Sequence, residues 1–195
     1  MPHYYSEEQD SAFNPRKITS FFHGREFTFH SASGVFSKDT VDRGTSLLCQ
    51  YMIVDPDEKV LDIGCGIGIL GVVAGSLGAN VVMCDTNSRA VGLARTNLGK
   101  NGIKEGVALQ SDLYSKITDK DFDVVLSNPP QSAGKKVCFS LIEGAKEHLK
   151  SGGSLQLVAR PNKGGKTLAK KMEETFGNVS VVAKKAGFAV YLSRK

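Results

Sequence analysis

From Val60 onward the chain alternates short, nearly unbroken runs of Val, Ile and Leu with longer stretches of helical periodicity. The runs are VLDIG (60–64), NVVMCD (80–85), GVALQSD (106–112), FDVVLSN (122–128), SLQLVAR (154–160), VSVVAKK (179–185) and FAVYLSR (188–194). Inner runs without polar alternation belong to strands buried on both faces, as parallel strands are. Between the runs the pattern predicts helices over about Ile69 to Leu77, Ser88 to Lys100, Lys135 to Lys150 and Gly165 to Phe176. This order is that of an open α/β fold: a seven-stranded, mostly parallel sheet with helices on both faces. The very short turn at Ala186-Gly187 makes the last two strands an antiparallel hairpin, which is not the ordinary dinucleotide-binding pattern.

Before Val60 the pattern differs. GREFTFHSASGVFSKDT reads as a small hairpin, FTF pairing with VFS across a Ser/Gly turn, followed by a helix from about Asp42 to Tyr51 and a break at Pro56. A chain of 195 residues, 41% hydrophobic and 23% charged, can bury one full core. The expected organisation is a single domain, 1–195, in which about 1–55 cover a site built by 56–195. No run approaches the ~20 apolar residues of a membrane span. The polar, acidic start MPHYYSEEQD is no secretory signal, so a soluble cytoplasmic protein is expected. Cys49, Cys65, Cys84 and Cys138 fit neither a zinc site nor a disulfide framework, and His23, His30 and His148 lack metal-ligand spacing. They are expected to be structural thiols and surface or packing histidines, with no metal bound.

The first strand–helix unit carries DIGCGIGILG. Its glycines, Gly64, Gly66 and Gly68, allow a sharp turn and close approach of backbone to a ligand. A dinucleotide fingerprint requires its third glycine where this chain has Ile69. A carboxylate on the strand, Asp62, would repel a pyrophosphate and suits a ligand with a positive centre. S-adenosylmethionine has such a centre and an adenosine. Asp85 ends the second strand, placed to accept from both ribose hydroxyls, with Thr86 after it. Ser111, Asp112 and Leu113 close the third strand, where Asp112 can accept from the adenine amino group. These residues, with the loop residue Cys65 and with Asn128, form the expected cofactor site.

The fourth strand ends SNPPQ, Ser127 to Gln131. Two prolines forbid helix and remove two backbone donors, so the chain there is extended and rigid. An exocyclic amine on a base is a poor nucleophile because its lone pair is delocalised into the ring. Two acceptors on its N–H bonds orient it and favour pyramidalisation. The Asn128 side-chain oxygen and the Pro129 carbonyl, stiffened by Pro130, can be those acceptors.

DIGCGIGILG, the acid at Asp85 and SNPP together resemble the class I S-adenosylmethionine-dependent methyltransferases acting on amines and amides of planar systems. SGVFSKDTVDRGTSLLCQ (33–50), NPPQSAGKK and FGNVSVVAKKAGFAVYLSRK are similar to the small-subunit ribosomal RNA guanine N2-methyltransferases, and most to short, single-domain archaeal-type members. The resemblance runs from about Phe27 to the end. It implies a Rossmann-like methyltransferase fold, methyl transfer to guanine N2 in RNA, and Phe36, Ser37 and Thr45 near the mouth of the site. Two departures stand out. Gln131 occupies a position where such enzymes commonly carry an aromatic that stacks on the target base. The larger bacterial relatives also have an additional N-terminal domain.

Residues 1–130 carry a net charge of −4 and residues 131–195 a net +9, so one end of the molecule suits a polyanion. Lys135, Lys136, Lys163, Lys166, Lys170, Lys171 and Arg160 are placed to meet phosphates near the rim. Gln131, Phe36, Arg160 and Lys135 are the candidate substrate contacts, with ribosomal RNA or the small ribosomal subunit as partner. Methylation of a protein glutamine amide or of an adenine amine uses the same chemistry and stays open at this point, as does a catalytically silent binding protein of this fold.

Overall fold

A computed structural model describes residues 12–37, 39–130 and 134–195. The seven-stranded sheet has the order β5-β4-β3-β6-β7-β9-β8. Its strands are β3 (Lys59–Ile63), β4 (Asn80–Asp85), β5 (Gly106–Gln110), β6 (Phe122–Ser127), β7 (Leu149–Ala159), β8 (Ser180–Lys185) and β9 (Phe188–Arg194). The pairs from β5 through β7 are parallel, and β9 runs antiparallel to both β7 and β8. Strand order reverses between β3 and β6, because the chain leaves β3 toward β4 on one side and later returns to β6 on the other. A crevice opens at the carboxyl ends of strands at such a point. Here the Ser127 hydroxyl, fully buried, donates to the Ile63 carbonyl at 2.8 Å and pins the two strand ends together.

Apolar burial falls into two layers. Val60, Val81, Met83 and Val124 face α2 (Ile69–Ser76), α3 (Ser88–Lys100) and the N-terminal elements. Leu61, Ile63, Val125 and Leu157 face α4 (Lys135–His148) and α5 (Gly165–Phe176). Both faces are covered, which explains why the inner strands show no polar alternation. β7 begins five residues earlier than expected, at Leu149, because Lys150 to Gly153 continue the strand through an irregular register against β6. Among the described residues no helix is long and apolar enough to cross a membrane.

The N-terminal hairpin differs from the expectation. FTF lies in β2 (Arg25–Ser31), but its partner is β1 (Arg16–Phe22), with Ile18 opposite Phe29 and Ser20 opposite Phe27. The two-residue turn is His23-Gly24, both with positive φ (47° and 76°), as a two-residue hairpin of matching twist requires. VFS is a loop. β1 supplies two inward apolar residues, Ile18 and Phe22, whereas VFS supplies Val35 to the core and turns Phe36 to the crevice.

β2 is then zipped onto α3 by two asparagines. Asn97 accepts from His30 N (2.7 Å) and donates to His30 O (3.0 Å); Asn101 accepts from Thr28 N (3.1 Å) and donates to Thr28 O (2.8 Å). Two residues of strand advance about 6.8 Å and one four-residue helical step about 6 Å, so an i,i+4 pair on a helix matches alternate strand residues. Each amide thus substitutes for a neighbouring strand. Asn97 also donates to Ile67 O (2.8 Å), which ties the hairpin to the Gly-rich loop.

Candidate active site

A cavity of about 560 Å³ lies over the carboxyl ends of β3 to β7. That is within the usual range for small-molecule sites. Gly64 and Gly66 border it with φ of 70° and 54°, a backbone conformation in which side chains are strained. Phe36 packs over Gly66 from the N-terminal loop, its Cβ 4.0 Å from where a Gly66 Cβ would stand. That loop is held by Asn87, which donates to Gly34 O at 2.9 Å, and by Ser31, whose hydroxyl donates to Ser37 O at 3.1 Å.

Asp85 organises the loop. Its Oδ2 accepts from Gly66 N at 2.8 Å and its Oδ1 from Asn87 N at 2.9 Å, so one carboxylate joins the loop to the start of α3. Burial raises its pKa, opposed by the N–H groups of Asn87, Gly66 and Thr86. Thr86, Ser111, Asp112 and Leu113 complete this side of the cavity. Ser111 is buried and shapes the turn: its hydroxyl donates to Leu113 O (2.9 Å) and accepts from Lys116 N (3.1 Å), while Leu113 adopts φ 45°. Asp112 is exposed at the rim.

Asp62 takes a different place from the one the sequence suggested. It is fully buried beneath the loop, outside the cavity lining, and its Oδ2 accepts from Gly71 N at 3.0 Å. Gly71 is in the first turn of α2, whose cap residue Gly68 has no side chain to satisfy the free N–H groups. Asp62 therefore caps α2 from within the sheet. Its Oδ1 has no hydrogen-bond partner among the described residues. Cys65 and Gly68 are likewise outside the lining; Gly68 packs against Ala94 and Met83.

Burial pushes the Asp62 carboxyl up to about 7, the Gly71 N–H lowering it and Asp85 raising it further. A folded-state pKa above the unfolded ~3.9 means that this group stabilises the fold fully below about pH 4. That stability, up to roughly 4 kcal/mol, is lost as pH rises through 7. Asp62→Asn keeps an oxygen for Gly71 and removes the titration. The variant is expected to gain on the wild type between pH 5 and pH 8 in denaturant melts of the ligand-free protein. A difference that does not change with pH would show that Asp62 is ionised throughout.

At the end of β6, Asn128 is held by elements far upstream. Its Nδ2 donates to Asp42 Oδ2 at 3.1 Å and to Thr45 Oγ1 at 2.9 Å. Asp42 caps α1 (Arg43–Tyr51), the same Oδ2 accepting from Gly44 N (2.8 Å) and Thr45 N (3.1 Å). The Asn128 Oδ1 accepts no hydrogen bond among the described residues. Asn128, Pro129 and Pro130 line the cavity, as does Asp42. The sequence marked Asp42 as the start of a helix and Thr45 as a possible lining residue, but not their grip on Asn128. A DRGT stretch signals a capped helix and nothing about a partner more than eighty residues on.

At the end of the neighbouring strand β7, Arg160 stacks its guanidinium over Phe188 at 4.6 Å from the ring centroid, and both line the cavity. Arg160 is the one basic residue among the described lining residues. Its carbonyl accepts from Lys163 N and Gly165 N, both at 2.9 Å, so the strand end is fixed. Phe188 packs against the start of α1, where a Cβ at Gly44 would come within 2.9 Å of the ring. Lys135 is exposed at the first turn of α4 and does not line the cavity. Gln131 lies outside the described residues. Of the basic residues toward the C-terminus, Lys171 is paired with Glu143 and Lys170 with Glu174 (3.7 Å).

Comparison with known proteins bears on this arrangement. Residues 26–192 match the family model described as methyltransferase small domain. The uncharacterized protein YbxB of Bacillus subtilis is 39% identical, over 99% of this chain and 98% of that protein. The ribosomal RNA small subunit methyltransferase C of Citrobacter koseri is 34% identical over 94% of this chain, which spans 54% of the relative's length. Among solved structures, a T. thermophilus 16S rRNA N2 methyltransferase in complex with AdoMet and guanosine superimposes with a TM-score of 0.84 at 29% identity, covering 93% of this chain and 50% of the other. The sheet order with its terminal hairpin and the match over most of the sequence have one reading: the chain belongs to the methyltransferase small domain family.

Proposed function

We propose that the chain transfers a methyl group from S-adenosylmethionine to an exocyclic amine, guanine N2 of ribosomal RNA. The observation that carries this reading is the clamp on Asn128: with its nitrogen taken by Asp42 and Thr45, its oxygen is left as an acceptor at the cavity wall beside Pro129. The names of the relatives, small-subunit ribosomal RNA methyltransferases acting at N2 in the solved case, support the substrate.

The cavity's chemistry fits the cofactor. Bare glycine backbone at Gly64 and Gly66, carboxylates at Asp85 and Asp112, and apolar Phe36 and Leu113 suit a cationic nucleoside with free hydroxyls. The same acids are poorly suited to a pyrophosphate. Asp85 would take the ribose and Asp112 the adenine amino group. When bound, the cofactor supplies an electrophilic methyl on a sulfonium. The chain's own part is orientation: Asn128 Oδ1 and the Pro129 carbonyl accept the two N–H bonds of the amine, aligning its lone pair. No covalent intermediate is needed. The N-terminal segment is read as the cover of this site.

RNA would reach the site over the basic end, where Arg160 lines the cavity and Lys163 and Lys166 are exposed. Arg160→Ala is expected to weaken RNA binding and to reduce the slope of log K against log salt by about 0.7, the share of one phosphate contact on a single strand. An unchanged slope would place Arg160 on a base instead.

The direct test supplies labelled S-adenosylmethionine and unmodified ribosomal RNA, free or in subunits, and digests the product to nucleosides. Label in N2-methylguanosine is the expected result. Cofactor binding without label in any RNA would sink the RNA reading and favour a protein amide.

A further inference from the structure

Asn128 has a side chain whose two ends are nearly equal in shape and opposite in hydrogen-bonding sense. Turned one way it offers an acceptor to the cavity; turned the other way it offers a donor, which would repel an amine's N–H. Two partners touch its nitrogen, and they are not equivalent. The Thr45 hydroxyl can accept from an N–H or, after rotation, donate to an oxygen, so it satisfies either orientation. The Asp42 carboxylate can only accept. With the amide reversed, two oxygens would face each other at about the 3.1 Å now spanned by a hydrogen bond.

We propose that Asp42 is the positioning residue that fixes the direction of the Asn128 amide, and so decides that the site presents an acceptor to the substrate amine. The inference rests on the amine-methyltransferase reading above. Asp42 is itself immobilised for the task. The oxygen that meets Asn128 also accepts two N–H groups at the start of α1, and the Asp42 N–H reaches Ser37 Oγ at 3.4 Å. The N-terminal segment therefore contributes a working part of the site in addition to covering it.

Asp42 also lines the cavity, so its charge could act on substrate directly. Three variants separate the roles. Asp42→Asn keeps an oxygen where three donors converge, because Gly44 N, Thr45 N and Asn128 Nδ2 all require one; it removes the charge. Asp42→Ser keeps a helix cap and is too short to reach Asn128. Thr45→Val removes the partner that does not discriminate. In single-turnover transfer from S-adenosylmethionine to ribosomal RNA, Asp42→Ser is expected to lower the rate about 30-fold, on the scale of a slight misplacement of a reacting group. Asp42→Asn is expected to stay within about fivefold of the wild type and Thr45→Val to lose less than Asp42→Ser, with the cofactor Kd of all three within about threefold. An Asp42→Asn variant as slow as Asp42→Ser would overturn the proposal, since charge would then be what matters. So would an Asp42→Ser variant as fast as the wild type, or one slowed only through weaker cofactor binding.

A second readout needs no substrate. The Asn128 side-chain NH₂ resonance, identified by its disappearance in Asn128→Asp, should exchange slowly with water in the wild type and in Asp42→Asn, and rapidly in Asp42→Ser. A freely exchanging amide in the wild type overturns the proposal whatever the substrate. Absence of methyl transfer with a protected amide instead defeats the functional reading and leaves the orientation of Asn128 standing.

Discussion

Asn128→Asp is expected to abolish methyl transfer, with a loss of about 10³-fold or more, although it supplies a stronger acceptor than the amide it replaces. The reason lies on the nitrogen side. The new carboxylate would face Asp42 Oδ2 across the 3.1 Å now bridged by the Asn128 N–H. Two acids that close cannot both ionise, so one takes a proton and the pair rearranges around it. Either oxygen of the new carboxyl can carry that proton, so the cavity wall no longer presents a fixed acceptor. Asn128→Ala, which removes the acceptor without adding a charge, is expected to lose about 10²-fold to 10³-fold, the usual range for deleting one preorganised polar contact. Single-turnover rates at saturating cofactor, with cofactor affinity measured alongside, separate chemistry from binding. Transfer by Asn128→Asp within tenfold of the wild type would remove Asn128 from the reaction.

The second large effect falls on affinity. Asp85→Ala is expected to raise the cofactor Kd by about 10²-fold to 10³-fold. Hydrogen bonds to a charged acceptor contribute about 1.5–3 kcal/mol each, so two ribose hydroxyls account for roughly 3–6 kcal/mol, and the expected change in Kd corresponds to the lower part of that range. The carboxylate has a further job, since it holds Gly66 N and Asn87 N at 2.8 and 2.9 Å. Without it the loop loses its link to α3, and those two N–H groups need new acceptors. Asp85→Asn keeps oxygen for one of them only and should fall between the wild type and Asp85→Ala. Titration calorimetry with S-adenosylmethionine reads both. A change below about fivefold for Asp85→Ala would put the ribose elsewhere.

The sheet was legible because its physics is local. Strands buried on both faces must be apolar at successive positions, and every one of the seven runs from Val60 onward became a strand. The N-terminal hairpin was misread because two turn signals competed. The Ser/Gly stretch after FTF has the composition of a turn, yet His23-Gly24, with a histidine at positive φ, made it. Pairing also depended on which flanking run had two residues to bury, and Ile18 and Phe22 outweighed Val35. The site shows the same division. Asp85, Asp112, Asn128 and the two glycines at the cavity border follow from strand ends and loop spacing. Asp62 looked like a ligand contact because it shares that spacing, but it sits beneath the loop as the acceptor that Gly68 cannot supply. The grip of Asp42 on Asn128 was invisible, since it exists only after two distant segments have met.

Asn97 has a consequence for how the molecule comes apart. One side chain bonds to both backbone groups of His30 and to the carbonyl of Ile67, so the hairpin cannot peel from α3 without releasing the Gly-rich loop. The three segments are expected to open as one unit, with the free energy of local opening shared among them. A ligand gripped by the loop then protects a hairpin whose described residues it need not touch. Cofactor occupancy is thereby written into the resistance of the β1–β2 hairpin to unfolding.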